Sequence, residues 1–322
     1  MAVVRRNILN SPEARRGYVR GVKLLKEDFA GPTTAGLGVP GPPQPVSTYD
    51  LFVVWHHVTM MTFTPPGQIE RNAAHGGPVF LPWHRFMLIL FELQLQRVLG
   101  DQEFGLPYWD WAADGERSPE QQPASPLWAA DCMGGQGDPV ASGPFAFDPA
   151  DPQRWRVRIE ASAGLQLRQV DRGLRRGFGA QPGVRGLPDR GQVGRALALT
   201  RYDASPWNTQ SSGFRNRLEG WRPASGPGLH NRVHVWVGGD MLRSTSPNDP
   251  VFFLNHCNVD RAWAAWLSQR GQLYRPPQSA AASLLGHRID DQIRSLVVDR
   301  TVTPREMLDA SELYAYDSLA VA

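Results

Sequence analysis

The chain has eight histidines, at positions 56, 57, 75, 84, 230, 234, 256 and 287. Imidazole titrates near neutral pH and is the commonest protein ligand for transition metals. Seven of the eight fall into two groups attached to the most apolar stretches of the chain. His230 and His234 are four apart, so on a helix both rings project from one face. A single H-x-x-x-H pair does not make a metal site by itself. His256, flanked by Phe252, Phe253 and Trp263, would alone read as a hydrogen-bonded core residue. Together the three supply what a three-imidazole site with an open position requires. Asp260, one turn after His256, is expected to stand behind the ligands and accept from a ring nitrogen, which would hold that ring's tautomer. An ion pair to Arg261 or a neighbour is the competing expectation. The earlier group is His56, His75 and His84. His57 is about 100° around a helix from His56 and cannot share its face, so it is expected behind the site or at the surface.

The helices that must carry these rings are legible. Tyr18, Val22, Leu25 and Phe29 recur at three- and four-residue spacing and predict a first helix over Pro12–Phe29. A second is expected over Ser47–Met61, with Ser47 as N-cap and Tyr49, Phe52, Val53, His56 and Met60 as one stripe. Pro82–Gly100 is apolar over most of its circumference, as buried helices are, and His84 opens it. His75 precedes it by nine residues and reaches the same metal only where the intervening chain folds back. Leu229–Trp236 predicts a fourth helix, closed by Gly238-Gly239. A fifth starts at Asp249-Pro250, an acidic cap followed by a proline that the first turn tolerates. Residues 31–46 read as an ordered Gly/Pro-rich loop. Residues 112–228 read as loop with short elements. The class expected is mainly α, a bundle of buried helices with long loops and few short strands.

Composition narrows the function. The 322 residues are 41% hydrophobic and 20% charged, with formal net charge +3. That is neither disordered nor fibrous. Two cysteines, Cys132 and Cys257, exclude a disulfide framework and a Cys-based zinc ribbon. Lysine occurs only at 23 and 26, and no basic–aromatic stripe suggests nucleic acid. The longest apolar run, Phe86–Phe91, is far short of the roughly 18 residues of a membrane span. Residues 151–200 hold ten arginines against four acids, expected as a solvated surface, with a docking patch for an acidic partner as the alternative. Six imidazoles with no thiolate and few inward carboxylates argue against di-iron, magnesium and calcium. Zinc and copper remain. Copper is favoured, because two neighbouring all-histidine triads suit a site that changes oxidation state, and zinc does not.

Several motifs then stand in order. Trp55-His56, Arg71-Asn72-Ala73-Ala74-His75, Phe80-Leu81-Pro82-Trp83-His84-Arg85 and Leu106-Pro107-Tyr108-Trp109-Asp110-Trp111 resemble the first-copper region of tyrosinases. Phe214 to Trp221, His230-Asn231-Arg232-Val233-His234 and Ser246 to Phe253 resemble the second. The chain resembles bacterial tyrosinase-type proteins of the type 3 copper family, most strongly over Tyr49–Trp111 and Phe214–Trp266. The resemblance implies one tyrosinase-like copper domain over residues 1–322, a central four-helix bundle holding a binuclear copper site. One copper would fall on His56, His75 and His84, the other on His230, His234 and His256. Dioxygen would be co-substrate. Where the family has two adjacent histidines at the last ligand, this chain has Asn255 before His256, which alters the surroundings of that ligand. No cysteine lies in Trp55–His84, so the Cys–His thioether of fungal and plant relatives is absent.

The resemblance further implies oxidation of phenols, catechols or o-aminophenols to o-quinones or quinone imines, in melanin or secondary-metabolite biosynthesis. Glu219 and Asn231 match the pair that holds and polarises a water for deprotonating a monophenol; a simple ion pair of Glu219 with Arg215 or Arg222 is the alternative. Val235 and Leu242–Thr245 fall at the substrate entrance, where Arg243, near the first copper, would favour an acidic aromatic. Two other enzyme or binding roles stay open: a catechol or o-aminophenol oxidase with little monophenolase activity, and a non-catalytic dioxygen-binding protein. A di-zinc hydrolase is a third. Partners implied are a small aromatic substrate and a small caddie-like copper chaperone, with the Arg-rich segment as its docking surface, and no nucleic acid or membrane. No apolar segment follows Arg5 and Arg6, so a cytoplasmic location is expected unless a helper carries the chain out.

Overall fold

A computed structural model describes residues 2–221 and 226–321. Among these, eight α-helices dominate and six short strands form three two-stranded sheets. The expectation of a mainly helical chain with few short strands holds.

Helix α1 (Pro12–Glu27) is capped by Ser11, whose side chain accepts from Ala14 N–H. It is amphipathic, and lays Tyr18, Val22 and Leu25 onto α3 (Phe80–Leu99). Helix α2 (Thr48–Met61) starts where its sequence promised, with Ser47 accepting from Asp50 N–H. Its burial is broader than one stripe: every residue from Thr48 to His57 is buried. The cause is that α1, the β2–β3 hairpin and the turn before α8 (Val251–Arg270) pack around it, and α3 meets it through Phe52–Phe91, Trp55–Trp83 and Trp55–Phe86 ring contacts. Helix α3 begins two residues before Pro82. The proline therefore sits in the first turn, where its missing N–H has no intrahelical partner to lose. Gly100 ends the helix in the left-handed conformation.

Helix α7 (Leu229–Val237) is short and ends at Gly238. Asp249 stands just ahead of α8 and its Oδ1 accepts from Val251 N–H at 3.0 Å, so the acidic start signal is real. Phe91 of α3 and Phe253 of α8 stack face to face. Tyr18 and Tyr49 donate their hydroxyls to the carbonyls of Pro250 and Pro247, pinning α1 and α2 to the turn that opens α8. Strand β1 (Val3–Arg5) pairs in parallel with β6 (Tyr314–Tyr316), which ties the two ends of the chain to one edge of the bundle.

The segment between α3 and α7 holds α4 (Trp111–Gly115), the antiparallel hairpin β2 (Val157–Ala161) and β3 (Leu167–Arg172), α5 (Arg190–Leu197) and α6 (Phe214–Glu219). Beyond it, β4 (Ile293–Arg294) pairs with β5 (Thr301–Val302). The Gly/Pro-rich loop 31–46 is ordered against the hairpin: Val39 and Val46 share a small core with Ile159 and Leu167, and Gln169 donates to the carbonyls of Pro40 and Pro42.

The Arg-rich stretch is solvated in part, as expected: Arg154, Arg168, Arg185 and Arg195 are exposed. Others of its charges are met within the chain. Arg172 pairs with Glu160 and Asp240, Arg156 with Asp171, and Arg175 with Asp138. Arg176 is fully buried and grips Asp249 through two bonds of 2.7 Å. A composition count cannot see these partners, since Asp240 and Asp249 lie far along the chain.

Candidate metal centre

Helices α2, α3, α7 and α8 and one loop converge on six rings. His56 comes from α2, His84 from α3, His230 and His234 from α7, and His256 from α8. His75 is delivered by a loop that does fold back. Asn72 Oδ1 accepts from the N–H groups of Ala74 and His75, and Ala73 N–H donates to Thr62 O. The turn closes through Gly76 at φ +71°, where a Cβ would stand 3.0 Å from the carbonyl of Glu70. A side chain there would be strained on both counts.

In each triad, His56–His75–His84 and His230–His234–His256, the candidate ligand atoms lie within 4.8 Å of one another. The triads abut. The rings of His84 and His256 stack with centroids 4.2 Å apart and planes 9° from parallel, and His75 lies 6.3 Å from His230. His57, the seventh ring, is buried but turned aside, with Nδ1 bonded to Ser244 Oγ at 2.8 Å.

The nitrogens facing away from the centre are held mainly by the backbone. His56 Nδ1 donates to Ser244 O at 2.7 Å, His84 Nδ1 to Phe80 O at 2.8 Å, and His234 Nδ1 to Met241 O at 2.7 Å. His230 Nδ1 meets Asn231 Oδ1 at 2.9 Å. A carbonyl only accepts, so Nδ1 of His56, His84 and His234 carries the proton and Nε2 keeps its lone pair. His56 Nε2 and His84 Nε2 are buried with no hydrogen-bond partner. His256 Nε2 sits 3.2 Å from His230 Nε2 and 3.3 Å from His234 Nε2. Buried nitrogens left unsatisfied cost about 1–3 kcal/mol each; a metal ion is what would satisfy them together. Burial pushes the pKa of His56 down to about 3 and of His234 down to about 4, and lowers the other four. All six rings are therefore neutral at pH 7, the ligating form.

For Asp260 the ion-pair expectation holds, with Arg85 and Arg5 in the place of Arg261, and the contact behind a ligand ring does not. Its carboxylate accepts from Arg85 at 2.6 Å, Arg5 at 3.3 Å, and Tyr314 and Tyr316 at 2.6 Å each, and it touches none of the ligand rings. It ties α8 to α3 and to both chain ends instead. One helical turn separates it from His256, but the carboxylate points along the helix flank that faces Arg85, not back toward the metal.

The donor set is six neutral imidazoles with no carboxylate or thiolate, which suits copper. A profile of the common central domain of tyrosinase matches residues 46–269. The chain belongs to the tyrosinase family. It is 39% identical over 273 residues to a tyrosinase of Streptomyces antibioticus, covering 84% of this chain and 89% of that one. It is 37% identical over 296 residues to the grixazone synthase of Streptomyces griseus, covering 84% and 90%. Its fold is that of a polyphenol oxidase mutant from Thermothelomyces thermophila, with TM-score 0.72, 23% identity, and coverage of 98% and 89%. This tyrosinase-family chain is thus a copper oxidoreductase with two copper ions as cofactor and dioxygen as co-substrate, and the two triads fit the ions.

The tyrosinase site opens to a cavity of about 770 Å³ that reaches His56, His75, His230 and His234. Asn231, Val235 and Arg243 all line it. Arg243 is exposed and anchored by one bond, Nη1 to Ala161 O at 3.2 Å. Glu219 does not line it. It is fully buried, with Oε1 accepting from Gly76 N–H at 2.7 Å and Oε2 from Arg215 at 2.9 Å. Burial nonetheless raises its pKa above the ordinary carboxylate value. Of the two cations expected to compete for it, Arg215 is the partner seen, and Arg222 lies outside the described residues. Asn255 is fully buried, and neither of its amide atoms has a partner.

Sequence reasoning placed Phe252 beside His256 but did not see that Phe252 and Phe80 each wall both triads. Phe252 lies 4.1 Å from His256 and 5.0 Å from His56, and Phe80 lies 4.7 Å from His84 and 5.0 Å from His230, ring to ring. Spacing held a signal for both, each four residues before a ligand on the same helix. The carbonyls of Ser244 and Met241 had none. Among the described residues, no helix is long and apolar enough to cross a membrane.

Proposed function

We propose that this enzyme oxidises catechols and o-aminophenols, and hydroxylates monophenols where Glu219 supplies a base, inside the cavity above the six histidines. His56, His75 and His84 would hold one copper and His230, His234 and His256 the other. The observation that carries this is the pairing of two neutral imidazole triads with an open, mostly apolar cavity at their edge. The copper pair supplies electron transfer and dioxygen reduction when bound. A catechol loses two electrons and two protons to become an o-quinone, and half a dioxygen becomes water.

The chain's own residues do the rest. The backbone carbonyls behind His56, His84 and His234 fix the Nε2 of those rings toward the centre, which pre-orients the site before metal arrives. Phe80 and Phe252 exclude water from it. Asn231 faces the cavity and would orient a water through which the Glu219 carboxylate takes the phenol proton; a free phenol, with pKa near 10, needs such help. Val235 shapes the wall. Arg243, with most of its guanidinium unpaired among the described residues, would attract a ring bearing a carboxylate. Asn255 packs unpartnered beside His256 and would tune that ligand's surroundings. Residues 1–322 would act as one copper domain, a reading supported by a core that runs from Val3 to Val321.

One observation favours the narrower alternative of an o-aminophenol or catechol oxidase. Both Glu219 oxygens already accept bonds, from Gly76 and Arg215, which weakens it as a base. The similarity to a grixazone synthase fits that alternative and a place in secondary-metabolite biosynthesis. A dioxygen carrier is disfavoured by the open cavity. Oxygen uptake by the copper-loaded protein on tyrosine, catechol and an o-aminophenol tests the reading. Turnover of the last two is expected, and a reversible dioxygen complex without turnover on any of them would overturn it.

A further inference from the structure

The cavity is larger than its reaction needs. At about 770 Å³ it falls in the range that encloses a drug-sized ligand, and a single phenol ring takes up a small part of it. Its outer wall is also apolar and bare. Phe63, Ile69, Trp221 and Leu242 all line it and are 40%, 84%, 47% and 44% exposed. Large apolar side chains left in water side by side at a cavity mouth mark a binding surface.

This rim is built. Ile69 stands on the loop between α2 and His75, and that loop is braced from within. Gln68 Nε2 donates to the carbonyls of Thr64 and Arg71, and Gln68 Oε1 accepts from the N–H groups of Glu70 and Arg71. Glu70 in turn accepts from Asn208 at 2.8 Å across the cavity wall. On the other side, Leu242 directly follows Met241, whose carbonyl holds His234. Ile69 and Leu242 are thus carried by the same elements that position the ligands.

Resting on the oxidase reading above, we infer that the physiological substrate is a low-molecular-weight phenol, catechol or o-aminophenol carrying an apolar arm, and that Ile69, Leu242, Phe63 and Trp221 bind that arm. The ring end lies at the histidines and the arm leaves between the Ile69 loop and the Leu242 turn. Continuity of the rim with the reactive end of the cavity is what commits the surface to a substrate.

The test is a series of 4-alkylcatechols from methyl to butyl on the copper-loaded protein. Burial of each methylene should raise kcat/KM roughly two- to fourfold. Ile69→Ser and Leu242→Ser should each reduce the butyl-to-methyl ratio, a quantity that cancels differences in copper loading or folding between variants. Calorimetric binding of 4-alkylbenzoates, which cannot be oxidised to quinones, should show the same gain with length. A flat series in the parent protein overturns the inference while leaving the oxidase reading intact. No quinone from any member sinks the oxidase reading itself. A tyrosine-containing peptide turned over faster than the butyl compound would assign the rim to a polypeptide and overturn the inference too.

Discussion

The carbonyl of Ser244 accepts a 2.7 Å hydrogen bond from Nδ1 of His56, 188 residues earlier in the chain. The hydroxyl of the same Ser244 meets the neighbouring His57 at 2.8 Å. One residue in the turn before α8 therefore clamps two consecutive histidines of α2. It sets the first triad by fixing which nitrogen of His56 faces inward. Met241, three residues earlier, does the same for His234. The short connection between α7 and α8 thus orients one ligand in each triad.

If the triads each hold one ion, His256→Gln should lower bound copper from two ions per chain toward one and abolish dioxygen consumption. Metal analysis after exhaustive copper loading decides it. Two ions retained by the variant would show that His256 is not a ligand.

Glu219→Gln should cut monophenol turnover by about a hundredfold, the lower end of what a positioned base contributes, with a much smaller loss on catechol. The substitution also leaves Arg215 with Asp203 as its remaining buried acid, so the thermal midpoint should be recorded alongside. Equal losses on both substrates would reduce Glu219 to a brace between Gly76 and Arg215.

Arg243→Ala should raise KM for carboxylated aminophenols about tenfold, the worth of one charge-assisted contact. KM for an uncharged catechol serves as the control. An unchanged ratio of the two KM values would remove Arg243 from substrate selection.

Arg176→Met should destabilise the fold by about 3–5 kcal/mol, because it strands the carboxylate of Asp249 in the interior. Asp249→Asn in the same background should recover part of the loss, since it removes the stranded charge. Denaturant unfolding measures both. A loss below about 1 kcal/mol would mean that water reaches the site and that the pair is not a brace.

The eighth histidine gives a pH signature. His287 is buried, bonded through Nε2 to Thr64 Oγ1 at 2.9 Å, and burial pushes its pKa down to about 3. Between that value and the ordinary 6.5 the unfolded chain binds a proton that the native chain refuses. Stability therefore falls as pH drops through this window, by about 1.4 kcal/mol per pH unit from this group. His287→Gln should remove that share of the acid slope. Identical slopes for variant and parent between pH 6 and pH 4 would contradict it.

Much of the helical frame could be read from single residues. Ser47 caps α2, Gly100 ends α3, and the i, i+4 pair His230–His234 sits on α7 with both rings on one side, because each of these signals is local. The partners of the Arg-rich segment were hidden for the opposite reason. Arg172 and Arg176 are neutralised by Asp240 and Asp249, and contacts between residues more than sixty positions apart leave no periodicity to detect. For Asp260 two expectations stood open, because helical spacing states which turn a side chain occupies but not which neighbour it meets. Here Arg5 and Arg85 captured it.

The amino-acid sequence alone therefore determined the ligand chemistry: six imidazoles, five on helices and His75 on a loop, a donor set that excludes hard cations and thiolate metals. Tertiary structure alone decided how those rings are aimed and what they face. The nitrogens turned outward rest largely on main-chain carbonyls, which every residue type carries and no sequence advertises. The rim around Ile69 is likewise visible only once three separate loops stand around one opening.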